Sequence, residues 1–166
     1  ALFFVLGRFV AIPSGIPNTN ISLQYAVLGL LAAMYGPVAG GLIGFIGHTL
    51  IDLSWGGSPW WSWVIASTFV GIVVGQFAET LNVNEGEFSK KGVVTYAIAN
   101  VIAHAVAWIG VAPVLDILIY AEPVDKVFAQ GAMAAVANIL TAVIVGALLI
   151  AAYTKTIAKK GSLEKQ

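Results

Sequence analysis

The chain carries too little charge to cover a soluble surface. Between Arg8 and Glu79 a single charged side chain, Asp52, interrupts the apolar sequence. Charged residues make up 10% of the 166 positions and hydrophobic ones 59%, whereas a soluble domain is about 25% charged. Mean hydropathy is +0.91. The chain therefore reads as an integral membrane protein. At roughly 20 residues per crossing it has room for about six spans and short loops, hence one compact domain. With no cysteine, disulfides and thiolate metal sites are excluded. A net charge of zero and no basic face exclude a nucleic-acid partner.

Proline, glycine and amide clusters divide the apolar sequence. The expected spans are 1–12, 23–35, 38–53, 60–80, 92–111 and 127–153, giving an all-α, compact bundle of six transmembrane helices over 1–166. The first span is short, about 18 Å at 1.5 Å per residue, and is expected to begin before the numbering. Its Arg8 either snorkels or faces the interior. The loop 13–22, PSGIPNTNIS, holds Asn18 and Asn20 and no charge; it suits a plain connector or a lid over an uncharged polar ligand. Gly36, Gly40, Gly44 and Gly47 recur on one helical face, which lets another helix approach closely. Segment 112–126 holds two prolines and three acids, Asp116, Glu122 and Asp125, and reads as part helix, part surface loop.

Lysine and arginine set the orientation. The tail carries Lys155, Lys159, Lys160 and Lys165, and the loop 81–91 carries Lys90 and Lys91. With six spans these lie on one side, the cytoplasmic side, together with both termini. The other side has only Lys126.

On that topology the distinctive residues gather in the outer half. His48 and Asp52 stand four apart at the end of the third span. Trp60 and Trp63 share a face at the start of the fourth, and Trp61 points elsewhere, as a membrane-belt residue would. Asn100, His104 and Trp108 follow at four-residue spacing, and Asn138 lies inside the sixth span. The inner half is nearly bare apart from Glu79. A channel would need polar lining along its whole length; a one-sided cluster suggests a pocket open to the outside. Each member also has a structural reading. Tryptophans form interfacial belts, His48 and Asp52 can satisfy each other, and Asn100 and Asn138 can join helices. Together, aromatic faces with neutral donors and acceptors suit a flat polar heterocycle. The chain carries no Gly-x-Ser-x-Gly, no HExxH and no phosphate-binding glycine loop, so catalysis, metal binding and ATP hydrolysis by this chain are not expected.

The segments IPSGIPNTNISLQYA, YGPVAGGLIGFIGHTLIDL and GSPWWSWVIAS resemble the substrate-binding S component of an energy-coupling factor (ECF) vitamin transporter, in the subgroup assigned to hydroxymethylpyrimidine. The resemblance implies a six-helix protein that binds a vitamin or precursor from outside, under the loop between its first two helices. It implies partners too: a transmembrane coupling (T) protein and two ABC-type ATPases, which hold the ATP and magnesium, this chain carrying no cofactor. It places Asn18 and Asn20 in the lid and His48, Asp52, Trp60 and Trp63 near the site. The family's small-residue contact for the coupling protein is matched nearest by Gly7-x-x-x-Ala11. Another heterocyclic vitamin, a ligand-free membrane scaffold and a stand-alone channel are the alternatives.

Overall fold

The computed structural model describes residues 1–157; Lys159, Lys160 and Lys165, which weigh in the orientation argument, lie outside the described residues. The elements are α1 (Leu2–Phe9), a two-stranded antiparallel hairpin of β1 (Ile12–Pro13) and β2 (Asn20–Ile21), α2 (Gln24–Ser54), α3 (Trp61–Gly75), the short α4 (Ala78–Leu81), α5 (Lys90–Tyr120) and α6 (Val124–Thr156). The loop read from sequence as a connector or lid is thus a small hairpin. Ile12 pairs with Ile21 and Pro13 with Asn20. Ser14 Oγ donates to the Thr19 carbonyl at 2.7 Å, and Asn18 makes the turn at φ 57°, a conformation asparagine tolerates well.

α2 is two arms rather than one rod. Gly36 leaves helical geometry at φ 83°, ψ −175°, where only glycine is unstrained. Pro37 starts the second arm, where a missing N–H costs nothing. The arms fold back on each other: a Cβ added at Gly40 would sit 2.9 Å from Ala32 Cβ, and Gln24 and Ile51, from opposite ends of α2, both abut Gly7. The expected spans 23–35 and 38–53 correspond to these arms. The helical rods are α1, the two arms of α2, α3, α5 and α6, so the expected count of six fits the structure. By length and composition, α2, α5 and α6 suffice to cross a membrane, and α3 does so together with the segment that follows its 45° bend.

The glycine face packs within the chain. A Cβ on Gly40 would overlap the Gly71 carbonyl and one on Gly71 the Gly40 carbonyl, so α3 and the second arm of α2 meet backbone to backbone. Gly44 meets the Ser67 carbonyl in the same way, and Gly47 lies against the Phe3 ring of α1. On the other side, Tyr96 of α5 pushes its hydroxyl between Gly29 and Gly146 and donates to the Ala142 carbonyl at 3.2 Å.

One boundary differs from expectation. The fifth helix, expected to end at 111, runs on through Tyr120, so segment 112–126 is part helix as read and its loop is confined to 121–123. A π-helical segment, Val106–Val111, precedes Pro113. Its wider turn accommodates the proline ring and the missing N–H that would break a regular helix. Asp116 is therefore carried into the bundle interior, 1% exposed. A second π segment, Thr141–Gly146, interrupts α6.

The polarity of the bundle is that of a protein in lipid. Val38, Leu118 and Leu148 are exposed, whereas Ser62, Ser67, Asn100, His104 and Asp116 are buried. Polar groups inside and apolar groups outside suit a hydrocarbon solvent.

Gly71→Val should force the contact between α3 and α2 apart and cost about 1–3 kcal/mol, read as a lowered thermal unfolding midpoint in detergent. Gly110→Ala, where an added Cβ meets nothing within 4 Å, should leave the midpoint in place.

Candidate ligand-binding cavity

α1, the hairpin, both ends of α2, and one end each of α3, α5 and α6 line a cavity of about 590 Å³, within the range usual for small-molecule sites. It is built around one carboxylate. Asp116, buried on α5, accepts hydrogen bonds from Trp60 Nε1 at 2.6 Å, Trp63 Nε1 at 2.7 Å and the Ser62 hydroxyl. An indole N–H can only donate, so this acceptor fixes both ring planes at the start of α3. Tyr120, one turn further along α5, accepts from the Trp61 backbone N–H at 3.0 Å and packs its ring 4.5 Å from that of Trp60.

A second carboxylate closes the turn between α2 and α3. Asp52 Oδ2 accepts from the Trp60 backbone N–H at 2.8 Å. Its other oxygen lies 3.6 Å from His48 Nε2. His48 Nδ1 in turn lies 2.5 Å from Ser67 Oγ, which is 2.7 Å from the Tyr25 hydroxyl. A continuous polar chain thus joins both arms of α2 to α3.

The aromatic wall extends from α3 to α5. Trp63 stacks on Trp108 with centroids 5.4 Å apart and planes at 26°, and Tyr25 meets Trp108 edge-on at 5.4 Å. Trp108 Nε1 donates to His104 Nδ1 at 2.8 Å. On the lid side, Gln130 Nε2 of α6 donates to the Pro17 carbonyl at 2.8 Å, tying the hairpin down.

Of the residues singled out from sequence, Asn18, Asn20, His48 and Asp52 line the cavity, as do Trp60, Trp63, Trp108 and Asn138. Trp61 does not; it is 43% exposed and lies against Phe45 with centroids 6.1 Å apart, as the belt reading expects. Asn100 and His104 do not line the cavity either. Both are fully buried behind Trp108, Asn100 Nδ2 donating to the Tyr96 carbonyl at 2.9 Å. Gly7, read as a contact for a coupling protein, faces inward: it is buried against Gln24 and Ile51 and lines the cavity, so its face is already covered. Ala11 is half-buried.

Sequence reasoning did not reach Asp116, Tyr25 or Gln24 as wall residues. The signal for Asp116 was present: a lone acid inside an apolar run is by default functional in a membrane protein, but the two prolines left its segment divided between helix and loop. Removing it should be felt at once. Asp116→Ala leaves two part-buried indole donors and the buried Ser62 hydroxyl without their acceptor, the hydroxyl alone costing about 1–3 kcal/mol. The expected readout is a lower unfolding midpoint with a shift in tryptophan emission, and Asp116→Asn, which keeps one acceptor oxygen, should fall between.

A family model described as ECF-type riboflavin transporter, S component, matches residues 1–155. A UPF0397 protein of Exiguobacterium sp. is 49% identical over 166 residues, covering 100% of this chain and 91% of the relative. One from Clostridium perfringens is 51% identical, with coverage of 100% and 90%. One from Enterococcus faecalis is 50% identical over 165 residues, with coverage of 99% and 90%. No solved structure matches. With its whole length aligned to such relatives and 1–155 to the family model, the chain belongs to the ECF-type riboflavin transporter S component family.

Proposed function

We propose that this chain captures a small, flat, polar heterocycle at the outer membrane surface and delivers it inward. In this reading six helices span the membrane with both termini cytoplasmic, and a transmembrane coupling protein and two ABC-type ATPases drive the transfer. The ligand taken as the best fit is hydroxymethylpyrimidine. The observation that carries the reading is the cavity of about 590 Å³ with indole faces on one wall and, on another, a carboxylate oxygen, Asp52 Oδ1, whose near partner is His48 Nε2 at 3.6 Å. A ring can stack on Trp63. Its amino group can donate to Asp52, and its hydroxyl can be matched by the amides of Asn18, Asn20 and Asn138. Membership of an S-component family supports capture without catalysis by this chain.

A second reading, a flavin as ligand, is favoured by the description of the family model and by a cavity with room for more than a single ring.

The test is a tryptophan-fluorescence titration of the detergent-purified chain with hydroxymethylpyrimidine and, separately, riboflavin. Saturable quenching by hydroxymethylpyrimidine is expected, with Trp63→Ala and Asp52→Ala each weakening it about tenfold or more. Wild-type affinity in both variants overturns this cavity as the site. Saturation by riboflavin alone selects the flavin. No response to any vitamin favours a ligand-free scaffold.

A further inference from the structure

The cavity wall is lopsided in sign. The carboxylates of Asp52, Asp116 and Glu122 lie on it, and among the described residues the one ammonium or guanidinium group on it is that of Lys126. Lys126 Nζ is 2.5 Å from Glu122 Oε2, so that pair is neutral within itself. The donors on Asp116 are two indole N–H groups and a hydroxyl, none of them charged. Asp52 has His48 Nε2 at 3.6 Å; even with an imidazolium there, Asp116 keeps no counter-charge. Arg8 does not line the cavity; its guanidinium stacks 3.8 Å from the centroid of the Trp55 ring, which does, and so stands behind that ring as the nearest further cation among the described residues. The Trp60 N–H, at the N-terminus of α3, is already taken by Asp52.

Anion sites in proteins are built from arginine, lysine or free backbone N–H groups. This wall presents carboxylates in their place. From that sign pattern we infer that the site selects its ligand by charge: it takes a neutral or cationic ring that offers N–H donors, and it excludes the phosphate ester of that same ring. A phosphate ester carries about −1.5 to −2 charge at pH 7. Inside a partly dry cavity its repulsion by Asp52 and Asp116 is weakly screened. The consequence is directional: the unphosphorylated compound enters, and a phosphorylated form produced inside binds the same cavity far more weakly. This inference rests on the capture reading above and adds the charge class of the ligand to it.

The experiment is isothermal titration calorimetry on the detergent-purified chain with two matched pairs: hydroxymethylpyrimidine and its monophosphate, and riboflavin and its 5′-phosphate. For the parent that binds, the ester should bind on the order of a hundredfold more weakly. Asp52→Asn removes one of the two repelling charges and should narrow that ratio about tenfold. Because the ratio is taken within one preparation, a partly unfolded variant does not imitate the effect. An ester that binds as tightly as its parent overturns charge selection and leaves capture standing. An unchanged ratio in Asp52→Asn overturns the assignment of the repulsion to this wall. Absence of heat from both parents overturns the capture reading itself, and this inference with it.

Discussion

Three donors, from the N-cap and first turn of α3, converge on the carboxylate of Asp116, and much of the cavity hangs on that convergence. Without an acceptor there, the Trp60 and Trp63 indole N–H groups would lose the partner that holds each ring in one orientation. With it, Trp63 is set against Trp108 and Trp60 against Tyr120. A carboxylate inside an apolar bundle is expensive to bury. Here the cost is met by hydrogen bonds from the same residues whose ring planes it fixes.

Close backbone approach is the second constraint. Gly40 and Gly71 bring α2 and α3 together without intervening side chains. That distance lets Ser67 of α3 reach both His48 on one arm of α2 and Tyr25 on the other. A bulkier contact would separate these groups by more than a hydrogen bond can span. The same mechanism operates at Gly29 and Gly146, which admit the Tyr96 hydroxyl into the core. Glycine packing and polar chemistry are therefore parts of one arrangement: small residues set the helix spacing, and that spacing decides which side chains meet.

The segmentation of the fold was legible in sequence because proline and glycine act locally. Gly36 and Pro37 end one arm and begin the next through backbone geometry alone. The i, i+3 relation of Trp60 and Trp63 and the i, i+4 relation of His48 and Asp52 likewise follow from helical periodicity, and all four side chains reach the cavity. Local signals left the segment after Pro113 divided between helix and loop. A proline among acids resembles a loop, yet a π turn absorbs it and α5 runs on to Tyr120. Whether a helix survives a proline depends on the register of the preceding turn, which no short motif records.

Sequence by itself determined that this chain lives in a membrane, that it is helical, where most helices break, and that its unusual polar and aromatic groups gather toward one end. Those properties follow from composition and from periodicities of a few residues. Only the tertiary structure decided which of these groups share a wall. Asn100 and His104 lie on the same helix as Trp108 at helical spacing, yet the packing of α5 leaves Trp108 on the cavity and the other two behind it. Gly7 turned out to face α2 rather than the surface, and Asp116 became the acceptor for residues more than fifty positions away. Contacts between distant positions depend on how the helices rotate and how closely they pack, and that is settled by the whole bundle at once.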